Sequence, residues 1–105
     1  MTGEKDEYTP RERGLLIGNR WAGDMRRAGA RAVDHEGLVR DPLVEAAKET
    51  PVLGVDTRDL IMVEGGMRER LDASEDPDAE SAFWAGFRDG VRAYLVVVEV
   101  GGGAN

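Results

Sequence analysis

The chain has 105 residues, no cysteine and a formal net charge of −7, with 41% hydrophobic and 33% charged residues. That composition excludes a disulfide framework, a thiolate zinc site and a cysteine nucleophile, and it disfavours indiscriminate binding to nucleic acid or anionic membrane. No apolar run is long enough to cross a bilayer, and the acidic start Met1-Thr2-Gly3-Glu4 is unlike a signal peptide, so one soluble cytoplasmic domain with a modest core is expected.

The charge is unevenly spread. Residues 1–40 carry eight Lys+Arg against seven Asp+Glu, whereas residues 41–105 carry six against fourteen, and twelve of the fourteen cations are arginine. Residues 1–8 read as a flexible charged tail, 9–100 as a single globular domain and 101–105 as a flexible glycine-rich tail.

Thr9-Pro10-Arg11-Glu12 is a capping box with proline at the first helical position, so a helix begins there. Ile17, Trp21, Met25, Ala28 and Ala32 follow at spacings of three and four, widened by Leu15 and Leu16, which predicts an amphipathic helix over 10–33. Asp34-His35-Glu36-Gly37 reads as a turn. Asp41-Pro42 repeats the cap-plus-proline signal and opens a short helix over Leu43–Glu49, closed by Pro51.

The apolar runs at 52–55 and 60–63 are too short for periodicity to decide. The preferred reading is a helix capped by Asp56 or Thr57, with Leu60, Val63, Met67 and Leu71 on one face and an interruption or bend at Gly65-Gly66. Asp76-Pro77 then opens the clearest element, a helix over 77–98 with Phe83, Phe87, Val91, Tyr94, Leu95 and Val98 at helical spacing. The fold is therefore read as mainly α, with two long amphipathic helices and one or two shorter ones. The alternative is α+β, with short strands near 52–55, 60–63 and 95–100.

Glycines recur four residues apart in both long helices, at Gly14 and Gly18 and at Gly86 and Gly90. A missing Cβ at that spacing lets helix backbones approach closely, and the pattern predicts helix contacts within the chain or across a homodimer.

Several chemical readings fail on the residues. Asp72-x-Ser74-x-Asp76-x-Asp78-x-Glu80 alternates oxygen side chains like the start of a calcium loop, but Pro77 stands where the loop requires glycine and Phe83 where it requires a bidentate glutamate. His35, the single histidine, has no nitrogen or sulfur co-ligands for zinc. No phosphate-binding glycine loop occurs. Accordingly no catalytic residue, metal site or cofactor is assigned.

Two charged surfaces remain. Asp72, Glu75, Asp76, Asp78 and Glu80 form an acidic face suited to a protein partner with a basic surface. Arg20, Arg26, Arg27 and Arg31 form the alternative, a nucleic-acid surface, although arginines beside so many carboxylates are more readily neutralised within the fold. The preferred function is a non-enzymatic acidic protein that binds another protein, of the regulator or inhibitor type that phages and mobile elements encode. The alternatives are a nucleic-acid-binding regulator and a small enzyme or metal protein centred on His35 and the carboxylates.

Overall fold

The computed structural model describes residues 8–29, 32–33, 36–48 and 53–103. Five helices and one minimal strand pair follow in order: α1 (Pro10–Ala28), β1 (Ala32–Val33), β2 (Val39–Arg40), α2 (Pro42–Lys48), α3 (Val55–Glu64), α4 (Met67–Ala73) and α5 (Ala79–Gly103). The mainly α reading holds. Strands near 60–63 and 95–100 do not form, because those residues lie within α3 and α5, and Val55 opens α3; Val52 lies outside the described residues.

The capping box forms as expected: Glu12 N–H donates to Thr9 Oγ1 at 3.1 Å and Thr9 N–H to Glu12 Oε1 at 2.9 Å. The far end corrects the sequence reading. α1 stops at Ala28, not Val33, because Gly29 adopts the left-handed conformation (φ 66°) and its N–H bonds to the Arg26 and Met25 carbonyls. β1 and β2 then pair antiparallel, Ala32 with Arg40 and Val33 with Val39, and Asp41 caps α2 through Leu43 N–H at 3.0 Å.

α1 packs on α5, and the glycines determine how. A Cβ built on Gly14 would overlap the Phe83 carbonyl oxygen and lie 2.9 Å from Phe87 N; one on Gly86 would overlap the Arg11 oxygen and lie 3.0 Å from Leu15 N. Gly18 meets Phe87 and Gly90 meets Leu15 and Asn19 in the same manner. Positions advance together along both helices, so the pair is parallel, and the contacts are nearly interchangeable between the two. The hydrogen standing in each Cβ direction points at a carbonyl oxygen of the opposite helix, a weak Cα–H···O contact worth about 0.5–1 kcal/mol. Asn19 Nδ2 donates to the Gly90 carbonyl at 3.2 Å, and Arg11 pairs with Asp89 at the entrance to the seam. The glycine faces predicted for helix contacts are thus occupied within one chain, and a homodimer would need another surface.

Parallel first and last helices require the intervening segment to carry the chain back to the start of α5, which α2, α3 and α4 do. The core lies beneath them. Phe83, Phe87, Val91 and Met67 are its largest fully buried side chains, joined by Ala22, Leu43, Ala46, Ile61, Met62 and Trp84. Trp84 meets Phe83 and Phe87 edge-on at centroid distances of 4.8 and 5.2 Å, and Trp21 closes on Phe87 at 5.3 Å. Arg92 Nε donates to the Ala47 carbonyl at 2.9 Å, so α5 caps the last turn of α2.

The middle helix breaks at Gly65-Gly66, as expected, with Gly66 left-handed (φ 70°). Its face does not follow the sequence reading. Met67 is buried and Leu71 half-buried, but Leu60 and Val63 are exposed while Ile61 and Met62 enter the core. A stripe drawn through an unbroken helix loses its meaning once the axis turns at the glycines. The cap differs too: Gly54 precedes α3 without a side-chain bond, in place of Asp56 or Thr57. α5 starts at Ala79, with the Asp76 carboxylate accepting from Asp78 N–H at 2.9 Å, and runs to Gly103, into residues expected as tail.

Candidate functional site

α3 is apolar on both sides. Four consecutive apolar residues, Leu60 to Val63, cover about 300° of a helix circumference, so some must face outward whichever way the helix lies. Ile61 and Met62 take the inner positions; Leu60 and Val63 stand outside at 56% and 57% exposure, with Val55 at 77%. Asp56 and Glu64 sit one turn either side of Leu60, at i−4 and i+4, and both are exposed. Among the described residues neither has an ion pair or side-chain hydrogen bond, whereas Asp59 is held by Arg68.

Two clefts flank this helix. Toward α1, an open cleft of about 320 Å³ is lined by Ile17, Trp21 and Ile61 with Arg20, Asp24, Glu64 and Gly65 around them. Gly65 permits the close approach: a Cβ there would lie 2.5 Å from Ile17 Cδ1. Toward α5, a second cleft of about 310 Å³ runs between Val55, Asp56, Arg58, Asp59, Met62, Arg68, Glu80 and Trp84. There the Arg58 guanidinium lies 5.4 Å from the Trp84 ring centroid, covering the indole, whose buried Nε1 has no hydrogen-bond partner. Arg68 is held above its ordinary pKa, first by the hydrogen bond it donates to Asp59 and then by the charges of Asp59, Asp72 and Glu80.

The acidic residues named from sequence are all at the surface. Asp72 lies in the last turn of α4, Glu75, Asp76 and Asp78 are in the connection to α5, and Glu80 lies in its first turn. Asp72 and Glu80 converge electrostatically on Arg68. Ser74 and Asp76 are occupied locally, accepting from the N–H groups of Asp76 and Asp78. Residues 74–78 are thus a capped turn, while Glu80 borders the cleft toward α5.

The arginines divide. Arg27 pairs with Asp24, Arg20 borders the cleft toward α3, and Arg26 is about a third of a turn away from Arg20 around α1. Among the described residues Arg20 and Arg26 have no carboxylate partner; Arg31 and His35 lie outside them. Among the described residues, no group of three or more His, Asp and Glu could hold a metal ion, and no helix is long and apolar enough to cross a membrane.

The sequence reading places Leu60 and Val63 on the inner face with Met67 and Leu71, whereas in the structure they form the outer face of α3. The four-residue run was the available signal. Compared with known protein families, characterised proteins and solved structures, the chain matches none.

Proposed function

We propose that this chain is a non-enzymatic binding protein of the cytoplasm, and that it engages a protein partner through the outer face of α3. The observation that carries this reading is the exposure of Leu60 and Val63, more than half in each case, on a helix whose opposite side is already buried in the core. Exposed apolar ridges bordered by charge are characteristic of interaction surfaces, where an apolar centre is desolvated and a polar rim sets orientation. Size and acidity support a regulator or inhibitor of the kind phages and mobile elements encode. The partner carries a basic rim, in keeping with the surplus of carboxylates after residue 40.

The test is affinity capture from the native host with the parent chain and a Leu60→Asp/Val63→Asp variant, after circular dichroism establishes that both fold alike. A stoichiometric partner retained by the parent and lost by the variant is expected. A partner held equally by both, or recovery of nucleic acid alone, would overturn the reading. The second reading, a nucleic-acid surface, is favoured by Arg20 and Arg26, which have no carboxylate partner among the described residues. Low-salt retention on DNA that Arg20→Glu and Arg26→Glu abolish would promote it.

A further inference from the structure

Resting on the protein-binding reading above, we infer that the partner presents to α3 an amphipathic helix whose apolar ridge is flanked at i−4 and i+4 by Lys or Arg. Asp56, Leu60 and Glu64 lie along one stripe of α3, each four residues from the next. At 1.5 Å rise per residue this is a carboxylate, an apolar side chain and a second carboxylate over about 12 Å. The complementary surface is a cation, an apolar side chain and a cation at the same spacing, which a helix supplies from consecutive turns of one face.

Which charges are available sharpens the choice. Asp59 is neutralised by Arg68 and Asp24 by Arg27, so neither needs a partner from outside. Among the described residues, Asp56 and Glu64 have none. The carbonyl end of α3 lies beside Glu64 and adds partial negative charge at that end of the stripe. The same end opens on the cleft floored by Ile17, Trp21 and Ile61, whose roughly 320 Å³ has room for one large apolar side chain from the docked helix. A cleft this open is better suited to an anchoring side chain than to a free small molecule.

A second copy of the chain fits less well. Two α3 faces brought together about a two-fold axis would set the carboxylates of Asp56 and Glu64 against carboxylates of the other copy, between molecules of charge −7 each.

The proposal is tested by isothermal titration with two synthetic 18-residue helical peptides of identical Leu, Lys and Ala content. One has Lys four residues either side of a central Leu; the other distributes the same lysines around the helix. Each is titrated into the parent chain, an Asp56→Asn/Glu64→Lys variant and an Asp72→Lys/Glu75→Lys variant, with far-UV circular dichroism and melting to verify folding. Asp56→Asn/Glu64→Gln, which introduces no new charge, is the fallback should the first variant melt early.

The patterned peptide is expected to bind the parent at least tenfold more tightly than the scrambled one. Binding falls at least tenfold in the α3 variant and less than threefold in the turn variant. Equal losses in both variants, equal binding of both peptides, or no binding would overturn the proposal, as would a dimer in light scattering that the α3 substitutions dissolve. Should the captured host partner depend on Leu60 and Val63 yet bind the Asp56→Asn/Glu64→Gln variant as tightly as the parent, α3 remains the binding face and the cationic-helix partner is ruled out.

Discussion

Replacing Gly86 by alanine adds one methyl group at a point where the Arg11 carbonyl already stands, with Leu15 N at 3.0 Å. Both obstacles are backbone, so no side-chain rotation relieves the overlap, and α1 and α5 must separate by roughly 1 Å or more to restore van der Waals contact. Overpacking of this kind costs about 1–3 kcal/mol, and the lost Cα–H···O contact adds about 0.5–1 kcal/mol. Against this stands a gain of about 1 kcal/mol in helix propensity. The net expectation is a destabilisation of about 0.5–3 kcal/mol, and the same reasoning applies to Gly14, Gly18 and Gly90. Gly23 is the internal control. It is buried in the same helix, but a Cβ there meets nothing closer than an Arg27 side-chain nitrogen at 3.5 Å and Tyr94 Cε1 at 3.9 Å. Gly23→Ala is therefore expected to stabilise by about 0.5–1 kcal/mol. Thermal unfolding of the five single variants separates the outcomes, since a change of 1 kcal/mol shifts Tm by about 4–8 °C in a domain of this size. Stabilisation at Gly14, Gly18, Gly86 and Gly90 equal to that at Gly23 would refute the backbone-to-backbone seam.

Further outcomes follow from other parts of the fold. Thr9→Ala removes the acceptor for Glu12 N–H and is expected to cost about 1 kcal/mol in denaturant titration. Phe87→Ala removes a fully buried ring in contact with Trp21 and Trp84, and a loss of about 3–5 kcal/mol leaves the variant largely unfolded by near-UV circular dichroism. Gly66→Ala forces a side chain into the left-handed region at φ 70° and is expected to destabilise by about 1 kcal/mol, with Gly66→Asn milder in the same melting assay. Leu60→Gln and Val63→Gln lie outside the core and should change stability by no more than about 0.5 kcal/mol.

Local chemistry was readable from the sequence wherever one short segment decides the structure. Thr9, Pro10 and Glu12 specify a helix start through their own backbone bonds, and Gly65-Gly66 specify a break through the conformation Gly66 adopts. Phe83, Phe87 and Val91 keep helical spacing and all reach the core. Where α1 stops was not readable in the same way, since Ala28 and Ala32 extend the apolar period past Gly29, and only the left-handed cap ends the helix. The fourfold glycine spacing announced close helix contact; that Gly14 meets Phe83 and Gly86 meets Arg11, in parallel, depends on the path of residues 29–78 between them.

The candidate site was less legible for a related reason. Once α3 and α4 have separate axes, Met67 is no guide to the direction of Leu60, and burial of Ile61 and Met62 leaves Leu60 and Val63 outside. Charge counting drew attention to Asp72, Glu75, Asp76, Asp78 and Glu80, where the carboxylates are densest. The carboxylates that border an apolar ridge and have no partner among the described residues, Asp56 and Glu64, lie on another helix.

The claim that α3 is the binding face is tested most directly by amide chemical-shift mapping of the 15N-labelled chain against the partner captured from the host. The expected perturbations centre on residues 55–65 and extend to Ile17, Arg20 and Trp21 across the cleft. Perturbations confined to residues 72–80, or centred on Arg26 with α3 unchanged, would contradict it.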